Sequence, residues 1–88
     1  MKAVWKYPTH PDAFALNLPA GARVVHFDMQ GGEAKMWVLV DTEAALEAHA
    51  FIIAGTGHDV PDGARPVRSC IDRETGLVWH LFEPGESP

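Results

Sequence analysis

Asp41, Glu43 and Glu47 fall within one short stretch, and Asp59 and Asp62 follow in a segment rich in proline and glycine. Carboxylates gathered in this way imitate the charge of a nucleic-acid backbone and attract clefts lined with lysine and arginine. Each residue singly also has a plainer role. Acids at a helix start complement the dipole, and acids in loops are solvated. Trp37 stands opposite Met36 and Val38 on an alternating segment, so it is the aromatic residue best placed to anchor an interface.

Other chemistries fail on spacing. His26 and Asp28 share one strand face and His58 adjoins Asp59, but neither pair has the cluster spacing of a zinc site, and Cys70 is the single thiol. No metal and no cofactor is expected. Cys70 lies beside Ser69 without the glycine-rich elbow or helix N-terminus that activates a nucleophile, and it reads as buried filler. Gly55-Thr56-Gly57-His58 has the look of a phosphate loop, yet no Gly-Lys-Ser/Thr follows and it runs toward Pro61. The aromatic residues have acidic neighbours as often as basic ones, which suits a core better than a single-strand stacking platform. The expected protein is not an enzyme.

The elements that must hold these residues are mostly strands. Val24–Gln30 and Ala34–Asp41 alternate apolar and polar residues on either side of Gly31-Gly32, the pattern of a hairpin closed by a tight primed turn. The alternation places Val25, Phe27 and Met29 on one face of the first strand, and Ala34, Met36, Val38 and Val40 on one face of the second. Trp5–Tyr7 and Phe14–Leu18 read as short strands stopped by Pro8 and Pro19. Phe51–Ala54 reads as a buried strand, and Val67–Asp72 with Leu77–Phe82 as a second hairpin. Leu77–Phe82 is apolar on both faces and is therefore expected either inside a sheet or covered by the helix. Thr42–Ala50 is alanine-rich, with Glu43 and Glu47 at i and i+4, and predicts a short helix capped by Asp41 or Thr42 and packed through Leu46. His58–Pro66 is the longest irregular segment and the expected mobile loop. The predicted class is mainly β (α+β): six to seven short antiparallel strands in a twisted sheet or small barrel or sandwich, with one short helix.

Eighty-eight residues suffice for one domain, expected over residues 1–83 with a disordered tail at Pro84–Pro88. Twelve acidic against seven basic residues give a net charge of −5, which argues against direct binding to nucleic-acid phosphates. The lone cysteine, the lack of an apolar leader and the lack of a membrane-length apolar run predict a cytoplasmic chain with no membrane association.

Trp5-Lys6-Tyr7-Pro8, Leu18-Pro19-x-Gly21-Ala22, Met36 to Asp41, Gly55-Thr56-Gly57-His58 and Val78 to Glu83, in this order, resemble a family of small, functionally unassigned phage and prophage proteins. That family has no assigned catalytic residues, so the resemblance implies none here. In size and charge the chain also resembles small acidic anti-CRISPR proteins. The two likenesses imply a phage-encoded inhibitor that blocks a nucleic-acid-binding host complex, with a CRISPR effector as the leading partner. Asp41, Glu43, Glu47, Asp59 and Asp62 would supply the acidic contacts and Trp37 the apolar one. The alternative is an accessory phage module, homo-oligomeric through an exposed sheet edge.

Overall fold

The computed structural model describes residues 1–85. Seven strands follow one another: β1 Lys2–Pro8, β2 Asp12–Pro19, β3 Arg23–Gln30, β4 Glu33–Asp41, β5 Leu46–Gly55, β6 Arg65–Ile71 and β7 Val78–Glu83. They form two antiparallel sheets, ordered β1-β4-β3 and β2-β5-β7-β6. The sheets face each other across one apolar core, and the molecule measures 38 × 36 × 15 Å. Its thin dimension suits two sheets at the usual separation of about 10 Å. The mainly β expectation holds, and the sandwich is the version of it that forms.

Alternation decides which side chains enter the core. Met36, Val38 and Val40 of β4 are sealed from solvent with Phe27 of β3, and they meet Leu18, Phe51, Ile53, Cys70 and Leu81 from the facing sheet. The hairpin between β3 and β4 is closed by Gly31 and Gly32, whose φ values of 63° and 81° are both positive, as a primed two-residue turn demands. Strand β7 lies inside its sheet, between β5 and β6, which accounts for apolar residues on both of its faces.

One expected core residue changes sides. The pairing of β3 with β4 slips between Val24 and His26, so Val25 is an extra residue in a bulge. Val24 consequently faces Val38 and packs on the core, whereas Val25 is 42% exposed. A bulge shifts the two-residue period by one, and simple alternation cannot foresee it.

The predicted helix over Thr42–Ala50 does not form. Asp41 does behave as a cap, its Oδ1 accepting the amide of Glu43 at 3.1 Å, but the chain makes a single turn there and enters β5 at Leu46. Leu46 through Ile53 then pair with β2 from Pro19 back to Asp12. Two helical turns are too short to nucleate unaided, and Leu46, expected to anchor them, is 66% exposed. The backbone gains a full ladder with β2 instead.

Of the expected tail, Pro84 and Gly85 are half-buried, and Gly85 sits so close to the backbone of Gly63 that a Cβ there would collide with it. Residues 86–88 lie outside the described residues. No helix among the described residues is long and apolar enough to cross a membrane.

Candidate interaction surface

The outer face of the three-stranded sheet carries the most unusual set of side chains. β4 is its central strand, and its outward residues are Lys35, Trp37, Leu39 and Asp41. Register places Lys2, Val4 and Lys6 of β1 opposite Asp41, Leu39 and Trp37, with His26 and Asp28 of β3 opposite Trp37 and Lys35 on the other flank. Trp37 and Leu39 are half-buried, and Val4 is 53% exposed. The result is an apolar centre with charge around it. All three lysines of the chain lie on this face.

Polar contacts order the rim. Lys6 Nζ donates to Gln30 Oε1 at 2.8 Å, reaching from β1 to β3 across the central strand. Lys35 Nζ meets Glu33 Oε2 at 2.7 Å, and this pairing holds the Glu33 carboxyl below its ordinary range. His26 Nε2 is 3.5 Å from Asp28 Oδ2, and its ring lies over Trp37 at 5.2 Å between centroids. Pairs this exposed add little to stability, but they limit where the long side chains point.

The acidic residues expected to act together are only partly gathered. Asp41 and Glu43 converge on the Met1 ammonium group, at 3.6 Å and 3.3 Å. The Asp41 carboxyl is held below its ordinary range, chiefly by the Glu43 amide, with help from the ammonium group and Lys2 against a desolvation cost. Asp41 shares the outer face of β4 with Trp37, so three of the six expected residues occupy one side of the molecule. Glu47 belongs to β5 in the other sheet, where its Oε1 is 3.4 Å from His49 Nε2. That nitrogen is shielded from solvent and has no hydrogen-bond partner among the described residues. Asp59 and Asp62 lie in the loop that leaves the far end of β5, and a ten-residue strand spans about 30 Å. They stand exposed, apart from the Asp41 end.

A different polar constellation escaped the sequence reading. On the four-stranded sheet, Ser69 Oγ lies 2.7 Å from His80 Nδ1 and Thr56 Oγ1 lies 2.8 Å from His80 Nε2. In a neutral imidazole one nitrogen donates and the other accepts, so one hydroxyl hands its hydrogen toward the ring while the other receives. Ser69 and His80 are direct cross-strand partners on β6 and β7. Thr56 arrives from the turn after β5, and no local signal announces it. Among the described residues, no carboxylate contacts this ring. Cys70 next door points inward, and burial, followed by the charges of Asp28 and Asp72, pushes its thiol up. Among the described residues, no group of three or more His, Cys, Asp or Glu side chains is arranged to hold a metal ion.

Fold and surface together define a small two-sheet β-sandwich with one amphipathic outer sheet face. The chain belongs to the family described as Domain of unknown function (DUF7352), whose model matches residues 1–88. No curated protein and no solved structure matches it.

Proposed function

We propose that this protein is a non-enzymatic binding module that docks onto another folded protein through the outer face of β1, β4 and β3, with Trp37 as its anchor. The observation that supports the reading is the arrangement on that face: Val4, Trp37 and Leu39 in the middle, with lysines and carboxylates of both signs at the edge. Protein interfaces have this anatomy, an apolar centre inside a polar rim, and tryptophan is prominent among the residues that dominate binding energy. A rim of mixed sign suits a protein surface better than a polyphosphate.

The narrower form of this proposal is a phage-encoded inhibitor of a nucleic-acid-binding host complex, a CRISPR effector in the leading case. It rests on the resemblance of the sequence to phage proteins and on its acidity. Within it, Asp41 and Glu43 at the end of the Trp37 face would meet lysines and arginines that otherwise hold phosphates. The scattered positions of Glu47, Asp59 and Asp62 reduce the acidic contribution to that one end.

Affinity capture from host lysate with three baits tests both levels: the unaltered chain, Trp37→Ala and Asp41→Lys. Loss of the captured protein with Trp37→Ala supports the docking face, and further loss with Asp41→Lys supports the acidic blockade. A protein retained equally by all three folded baits overturns both. A chain that captures nothing and sediments as a homo-oligomer returns the accessory module, with β1 or β2 as the available sheet edge.

A further inference from the structure

A cleft of about 320 Å³ opens where the margins of the two sheets meet, between β3 and β6. Both strands are irregular beside it. Val25 bulges from β3, Val67 interrupts the register of β6 with β7, and Pro66 beside it has no amide hydrogen to offer. Bulges bend and twist their strands, and a proline removes a donor, so these two strand edges do not zip into a closed barrel. The space left between them is lined by Val24, Phe51 and Val67 and by the two basic residues Arg23 and Arg68.

Those guanidiniums are unspent. In a chain of twelve acidic and seven basic residues, neither Arg23 nor Arg68 has a carboxylate partner among the described residues, whereas Arg65 is 3.9 Å from Glu83. Arg68 Nη1 donates to the carbonyl of Val67 at 2.7 Å, which positions the group, and its other N–H donors have no partner among the described residues. Glu83 is the one carboxylate lining the cleft, and Arg65 already answers it.

We propose that this cleft is a binding site for a small organic anion, whose carboxylate or phosphate oxygens are held by Arg23 and Arg68 and whose apolar body lies against Val24, Phe51 and Val67. The volume is at the lower end of the roughly 300–1,000 Å³ found for small-molecule sites, which limits the body to about a single ring. The site lies at the seam of the sheets, and Arg23, which register places opposite Leu39, stands between it and the edge of the Trp37 face.

Amide NMR titrations of the full chain with benzoate, phenyl phosphate and the neutral benzamide test the proposal. The expected result is saturable movement of the Val24, Val67 and Arg68 signals with benzoate or phenyl phosphate, the tighter of the two naming the headgroup, and none with benzamide. Arg23→Gln and Arg68→Gln should each weaken binding about tenfold, the loss of a charge-assisted hydrogen bond. The remainder of each spectrum reports that the variant is folded, and added sodium chloride should weaken the unaltered chain in the same direction. No saturable movement with either anion overturns the proposal. So does equal affinity for benzamide, or unchanged affinity in both folded variants.

Discussion

His26 and Trp37 are cross-strand partners on β3 and β4, and their rings lie 5.2 Å apart between centroids at an interplanar angle of 53°. The histidine lies against the indole, which lowers the entropy that Trp37 would lose on meeting a partner. His26→Ala should therefore weaken capture of the partner by several-fold, whereas Trp37→Ala should weaken it by about 2 kcal/mol or more, as hot-spot residues do. Titration calorimetry on the captured protein measures both. An affinity of His26→Ala equal to that of the unaltered chain would show that the ring pair plays no part in docking.

The turn after β4 should respond to acid. Because the Asp41 carboxyl titrates below its ordinary range in the folded chain, its contribution is complete at neutral pH and fades as pH falls below about 4, through the lowered value. The Glu43 amide, which donates to Asp41, is the reporter: its NMR shift should titrate in that acid window. In Asp41→Asn the titration should vanish.

Cys70 should be slow toward thiol reagents. It is buried, and burial together with the neighbouring carboxylates disfavours the thiolate that reacts. A colorimetric disulfide reagent at mildly alkaline pH should modify the native chain at least about a hundredfold more slowly than the urea-unfolded chain, since open states are sparsely populated. Similar rates would place the thiol at the surface.

The bulge in β3 separates two adjacent valines. Val24→Ala should cost about 1–2 kcal/mol in urea denaturation, and Val25→Ala no more than about 0.5, because only the first packs on the core. An unbroken alternation through Val25 predicts the reverse order.

Ala48 pairs with Asn17 on the outer face of the four-stranded sheet, so its substitution reports on strand or helix at that position. Ala48→Thr should leave stability unchanged or raise it by up to about 1 kcal/mol, since β-branched residues fit a pleated, half-exposed surface. In a helix the same change would lower stability by a few tenths of a kcal/mol.

Much of this architecture was written locally. The β3–β4 hairpin needs only Gly31-Gly32 and two alternating segments, and Met36, Val38 and Val40 enter the core because every second residue of a strand shares a face. The two apolar faces of β7 left an interior strand and a helix-covered one open, and pairing with β5 and β6 decided for the first. Partners distant in the chain settled the rest. Thr42–Ala50 has helical composition, but a two-turn segment gains more from the β2 ladder than from its own hydrogen bonds, and the sequence near Leu46 carries no mark of that partner. The bulge at Val25 depends on how β3 runs along β4. The six residues read as one binding set were divided in the same way: Trp37 and Asp41 share a face because they alternate along one strand, whereas Glu47, Asp59 and Asp62 went elsewhere when β5 paired in the opposite sheet. Thr56, Ser69 and His80 met only through strand pairing, and Arg23 and Arg68 came to line one cleft only through sheet packing. Periodicity along a strand is a property of neighbouring residues and can be read from their order; coincidence across strands and sheets is set by the free energy of the whole core, which no short window of sequence contains.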